Sequence, residues 1–274
     1  MIRKLFVGLS VAALFAASAC AFSADADTEE RKADGILKVG ASPTPHAKIL
    51  QYVKDELADD AGLKLDIVPF SDYIQPNVAL QEKQIDANYF QHEPYLAEQV
   101  KERGYKFESV TPVHIEPLAV YAGSADSLAD LRDGDTVAIP NDPSNRGRAL
   151  KLLAAEDIIT LKKDAGATAD VEDITENPKN LKFSQQEAAF IPRSRQDSAL
   201  SVINGNYALE AGLNPATDAL AVESPKDNPY ANVLVVRKGD KDDARVKKLV
   251  TLLNSDEVKE FIKKTWPDDT VIPA

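Results

Sequence analysis

The chain has 274 residues, 44% hydrophobic and 28% charged, with 32 Lys and Arg against 44 Asp and Glu and a formal net charge of −12. That acidic balance, with no polybasic run to offset it, excludes nucleic acid and anionic membrane surfaces as partners on electrostatic grounds. The single cysteine rules out an internal disulfide, and the composition is otherwise that of an ordinary globular protein.

Arg3 and Lys4 precede an apolar run from Leu5 to Ala19 that ends in small residues. This pattern predicts a secretory signal over 1–19, the run being shorter than the roughly 20 apolar residues a spanning helix needs. Cys20 then stands where a bacterial lipoprotein signal, which this stretch resembles, is cut and lipidated. Ala17 replaces the usual Leu of that signal, and Ala17-Ser18-Ala19 also suits ordinary cleavage. Loss of Arg3 and Lys4 with the signal takes the net charge from −12 to −14. Residues 20–35 are small and charged, including Asp25, Asp27, Glu29 and Glu30. They bury too little apolar surface to offset their ordering entropy, so a flexible tether is expected. The protein is expected to be exported to the periplasm or the outer face of the cell membrane, held by a lipid if Cys20 is modified.

From Ile36 the chain alternates strand and helix. A strand over 36–40 is followed by a helix from about Pro45, with Ile49, Leu50, Val53 and Leu57 at helical spacing and Gly62 as its stop. A second strand follows over 63–68, then a helix over 75–82, a short strand near Ile85-Asp86-Ala87, and a helix over 93–103 ended by Gly104. Helices between strands predict mainly parallel sheets covered on both faces. Phe107 to Tyr121 breaks the rhythm, with two extended pieces interrupted by Pro112 and Pro117. Alternation resumes at Val137 and runs to about Val222, and a last strand, Val233–Val236, leads into two helices. An α/β protein of two lobes explains this order, one lobe formed by 36–116 with 227–274 and the other by 117–226, with two extended crossings between them. The expected ligand cleft lies between the lobes.

Two stretches carry candidate chemistry. In Thr136 to Arg148 a strand ends where a helix begins, with Asn141, Asp142, Pro143 and Ser144 as capping and first-turn residues. The amides of such a first turn and the fork of Arg148 form a site for a small anion, most simply a carboxylate, although an ordinary strand-to-helix junction has the same pattern. The second stretch, Asp86 to Tyr95, reads as another such junction. Phe90, His92 and Tyr95, with Tyr73 from the preceding one, can wall an apolar slot, or can be local packing.

The segments Phe70–Asn77, Ile85–Leu96, His114–Leu118, Pro140–Arg148 and Glu176–Leu181, extended by Val202–Asn204 and Pro229–Asn232, resemble the MetQ/NlpA family. These are the methionine-binding lipoproteins of bacterial methionine ABC importers. The resemblance implies a type II-like periplasmic-binding-protein fold that closes on L-methionine or a related small zwitterion. It implies as partners an importer permease with its ATPase. It also implies Arg148 and Asn145 on the ligand carboxylate, Asn204 and Asn232 on its amino end, and Tyr73, Phe90, His92 and Tyr95 around its side chain. A guanidinium fork suits a carboxylate, amide oxygens accept from an ammonium, and aromatic walls favour a thioether. No acidic residue is assigned to the ammonium.

Other functions fit less well. His46, His92 and His114 with Glu93 and Glu116 are metal-ligating types, yet no His-x-x-x-His pair or His-rich loop is present, and no metal or other cofactor is expected. No phosphate-cradling glycine loop, no Gly-x-Ser-x-Gly elbow and no cysteine within the fold points to an enzyme. Binding of a metal ion as cargo, of another amino acid or of a dipeptide, or a role in surface adhesion, are the alternatives.

Overall fold

The computed structural model describes residues 35–274. The expected signal, Cys20 and the tether up to residue 34 lie outside the described residues. Six strands form one sheet, in the order β13-β4-β12-β3-β1-β2. They are β1 (Ile36–Ala41), β2 (Lys64–Pro69), β3 (Ala87–His92), β4 (Phe107–Ile115), β12 (Asn232–Arg237) and β13 (Ile272–Pro273). The second sheet runs β11-β5-β10-β6-β9. Its strands are β5 (Ala119–Ala122), β6 (Thr136–Pro140), β9 (Lys182–Gln186), β10 (Leu200–Ile203) and β11 (Ala219–Val222). A small hairpin of β7 (Thr160–Leu161) and β8 (Ile174–Glu176) sits beside it.

The central strands of each sheet are buried on both faces, which divides their residues by parity. In β12, Leu234 and Val236 enter a core with Leu37, Val39, Leu50 and Leu249, while Val233 and Val235 pack with Leu80, Leu96 and Phe107 on the other side. In β6, Val137 and Ile139 join Leu150 and Leu153, and Ala138 faces Tyr121, Ile191 and Tyr207. This is the period of two expected of a strand sandwiched between helical layers.

The sheets are mixed rather than mainly parallel. β1 pairs parallel with β2 and β3, but β12 runs antiparallel to both β3 and β4. In the second sheet β6 is parallel to β9 and β10, and β5 is antiparallel to β10 and β11. Parallel pairing needs a crossover helix, and none lies between β4 and β5, so the chain enters the second sheet by a direct passage. It returns as β12, wedged between β3 and β4.

Local expectations differ from the fold in three places. The helix from His46 turns π-helical at Val53–Leu57 and ends short of Gly62, whose φ is +60°. β4 runs through Pro112, which the sheet tolerates where its register with β12 shifts. The third strand begins at Ala87 and extends to His92, so Asn88, Tyr89, Phe90 and Gln91 lie in a strand and not in a turn. Asn88 and Gln91 are buried there because they form an amide network with Asn77, with bonds of 2.9–3.1 Å, which satisfies polar groups that a hydrophobic pattern cannot reveal.

Candidate ligand-binding site

β6 ends at Pro140, and Asp142 caps the helix Pro143–Ala155 by accepting a bond of 2.9 Å from the Asn145 amide. The Asn145 side chain donates to the same carboxylate at 3.0 and 3.1 Å. Burial raises the Asp142 pKa, and the Asn145 bonds oppose the rise. One turn on, a Cβ at Gly147 would lie 2.4 Å from the Ala167 carbonyl, so only glycine lets this helix seat on that loop. The seating aims Arg148 inward, where it is 4% exposed.

The Arg148 guanidinium is already gripped on two sides. Its Nε and Nη2 donate to the Glu223 carboxylate at 2.9 and 2.5 Å, and Nη2 also donates to the Glu116 carbonyl at 2.9 Å. The Tyr230 ring lies 4.2 Å from its Cζ, a cation–π contact that fixes the plane of the fork. Among the described residues no acceptor is bonded to Nη1. Glu116 lies in the passage from β4 to β5 and Glu223 in that from β11 to β12, so both connections between the sheets meet at this arginine.

Tyr73, Phe90 and Tyr95 form a triangle of rings with centroids 5.9–6.0 Å apart. The triangle is locked at its edges, the Tyr95 hydroxyl donating to the Tyr73 carbonyl at 2.9 Å and the Tyr73 hydroxyl to Asn206 Oδ1. His92 lies between this slot and the polar end, its ring centroid 6.2 Å from that of Tyr95 and 5.0 Å from that of Tyr230. Its Nδ1 accepts from the Tyr95 amide at 3.2 Å and caps that helix, which leaves Nε2 to donate to Asn145 Oδ1 at 3.2 Å. Burial, helped by the Arg148 charge, lowers its pKa to about 3, so the ring is neutral.

Asn145 Oδ1 also accepts from Asn204 Nδ2 at 2.9 Å. Its amide is therefore spent on holding Asp142, His92 and Asn204 together. Asn204 Oδ1 and Asn206 Nδ2, both buried, have no hydrogen-bond partner, which leaves one acceptor and one donor on the chamber wall. Asn232 Oδ1 accepts from His46 Nε2 at 3.0 Å.

Glu116 completes the polar end, and the sequence pattern did not assign it there. Its carboxylate accepts from His114 Nε2 at 2.6 Å and lies 3.3 Å from His46 Nε2, while the Tyr89 hydroxyl donates to His114 Nδ1. Burial raises the Glu116 pKa against the pull of His46 and Arg148, and lowers those of His46 and His114 to about 4 and about 3. These three residues are the described group whose ligand atoms come together as a metal would require, within 4.8 Å. His114 has both ring nitrogens engaged, however, and its short contact to Glu116 is a hydrogen bond. Glu93 is bonded to Ser109 and His92 to Asn145, so neither joins the group. A Cβ at Gly205 would lie 2.6 Å from the Glu116 Cβ, so a glycine is required where the second sheet's lobe closes over this carboxylate.

Tyr73, Phe90, His92, Tyr95, Asn145, Arg148, Asn204 and Asn232 all line one chamber of about 330 Å³. Glu116, Gln91, Gly205 and Asn206 complete it. The signal for Glu116 in the sequence is a lone acid directly before Pro117 at the crossing. For Asn206 and Glu223 no local signal exists.

Residues 37–274 match the sequence family described as NlpA lipoprotein. The D-methionine-binding lipoprotein MetQ of Escherichia coli K12 is 43% identical over 240 residues, covering 87% of this chain and 88% of that one. The methionine-binding lipoprotein MetQ of Bacillus subtilis is 39% identical over 276 residues, 99% of each chain. A nutrient-binding protein of Burkholderia cenocepacia solved with methionine bound superposes with a TM-score of 0.83 at 47% identity, covering 87% of this chain and 99% of that one. The chain belongs to the NlpA lipoprotein family.

Proposed function

We propose that this protein is an exported binding protein that closes on free methionine and presents it to the permease and ATPase of an ABC importer. The observation that carries this reading is the chamber itself, with the Arg148 guanidinium and the Glu116 carboxylate at one end and three aromatic rings at the other. Opposite charges set side by side suit an α-amino acid zwitterion, and the ring wall suits a thioether. Arg148 Nη1, with the Asn206 amide, takes the ligand carboxylate. Glu116, Asn204 Oδ1 and the Asn232 amide face its ammonium, and Asn145 and His92 position this polar end. Tyr73, Phe90 and Tyr95 hold the side chain. The names of the relatives and the bound methionine of the Burkholderia structure support the same ligand.

The lobes are 36–116 with 227–274, and 117–226, hinged at the two crossings. Because Arg148 bonds to Glu116 and Glu223, a ligand carboxylate on its free nitrogen acts where both hinges meet, and closure follows from tighter binding to the closed form. Cys20 is the lipid attachment point, which palmitate labelling of wild type and Cys20→Ala checks. Native mass spectrometry of the purified protein, followed by calorimetry with L-methionine, D-methionine and alanine, tests the ligand. Methionine bound at least tenfold more tightly than alanine is expected, since the ring contacts are worth about 1.4 kcal/mol or more in sum. Equal affinity for the two would refute the reading.

A further inference from the structure

Beside the chamber, behind Tyr73 and Tyr95, lies a larger groove of about 800 Å³ between the lobes. Five carboxylates line it, Asp72, Glu98 and Glu102 from the first lobe and Asp142 and Glu187 from the second, against the single cation of Arg103. Glu98 is 8% exposed; its Oε2 accepts from Gln99 at 3.0 Å, its buried Oε1 has no donor within hydrogen-bond distance, and burial together with the adjoining Glu102 carboxyl raises its pKa. A carboxylate oxygen buried beside other carboxylates with no donor on it marks a place built for positive charge. Tyr73 and Tyr95 line both cavities, so these rings are the partition between the groove and the ligand chamber. The acids lie close enough to act on that partition. Burial raises the hydroxyl pKa of both tyrosines; Tyr207, Glu116 and then Asp142 add to it at Tyr73, and Asp142 and Glu98 add to it at Tyr95.

An uncharged thioether gives these carboxylates nothing to attract, and their mutual repulsion opposes the meeting of the lobes. A cation on the chamber side of the rings would be drawn both by the ring faces, whose quadrupole is negative, and by the acids behind them. We propose that the chamber also takes α-amino acids whose sulfur is alkylated to a sulfonium. The positive sulfur sits on the Tyr73, Phe90 and Tyr95 rings, with the Glu98 and Asp142 carboxylates behind the two tyrosines. The inference rests on the methionine reading, because the same carboxylate and ammonium contacts anchor both ligands.

Calorimetry on the full chain with three probes separates charge from shape: L-methionine, S-methyl-L-methionine, and 2-amino-5-methylhexanoate, which replaces the sulfonium by carbon. The sulfonium is expected to bind about three- to thirtyfold more tightly than its carbon analogue, the range of one partly desolvated cation–π contact. Glu98→Gln is expected to weaken the sulfonium about threefold or more while leaving methionine unchanged. Glu102→Gln, on the exposed next turn, gives the same test with smaller amplitude should Glu98→Gln fail to fold. Sulfonium binding no tighter than the carbon analogue, or equal losses for methionine and sulfonium in these variants, overturns the inference and leaves the methionine reading standing. A chain that binds neither methionine nor the sulfonium overturns both.

Discussion

The ring wall of the chamber comes from residues 73–95 of one lobe, whereas its polar end gathers Glu116, Asn145, Arg148, Asn204, Asn206 and Asn232 from distant parts of the chain and from both sheets. The rings need only contact and are held by two edge hydrogen bonds. The polar groups are buried charges and amides, most of them held by Glu223, His114, Asp142 and Asn145, while Arg148 Nη1, Asn204 Oδ1 and Asn206 Nδ2 are left for the ligand. Burying an unpaired charge costs far more than losing a dispersion contact. The polar end should therefore dominate affinity and respond to single substitutions, and the ring end should set selectivity at smaller cost.

The largest effect is expected from Arg148→Ala, which leaves both the ligand carboxylate and Glu223 without their cation. Affinity for methionine should fall by about 3–5 kcal/mol, the usual cost of truncating one partner of a buried hydrogen-bonded charge pair. Calorimetry with unchanged affinity would remove Arg148 from the site. Glu116→Gln should cost about 2 kcal/mol, since a hydrogen bond to a charged group becomes a neutral one. The comparison sharpens if its loss is the same for methionine and for alanine, which share the ammonium.

A pH effect of similar size follows from the buried histidines. His46, His92 and His114 are held to about 4, 3 and 3, while in the unfolded chain they titrate near their ordinary 6.5. Above about pH 6.5 neither state takes up these protons. Below it the unfolded chain does and the folded one does not, so stability is lost as pH falls from about 6.5 towards 4, by about 2 kcal/mol per histidine at pH 5. Glu116 and Asp142, raised by burial, act with the opposite sign. The measurable quantity is therefore a difference: His92→Gln should lose about 2 kcal/mol less than wild type between pH 7 and pH 5 in urea denaturation. Equal losses would place the wild-type sensitivity elsewhere.

The smallest expected change in affinity is at the ring end. Phe90→Ala should weaken methionine by about 1 kcal/mol, within the range of one sulfur–aromatic contact, and alanine by less. Equal losses for both ligands would break the distinction between the two ends.

Much of this was legible in the order of residues. Helical spacing, the Asp142-Pro143 start and the Gly104 stop are local, and the chain obeys them because caps and periodicity act within a few residues. The aromatic wall was legible for the same reason, its members lying on neighbouring junctions. The strand over Asn88–Gln91 was not, because its buried amides are satisfied by Asn77 from another element. The tautomer of His92 was not legible either, because it is set by the Tyr95 amide on one side and Asn145 on the other, and that second partner arrives from the opposite lobe. The mixed direction of the sheets and the insertion of β12 between β3 and β4 depend on where the chain re-enters the first lobe, which no periodicity encodes. Glu116 and Glu223 acquire their places for the same physical reason: a buried charge is tolerable only beside its partner, and here the partners meet only after both sheets have formed and the two passages between them have been brought to Arg148.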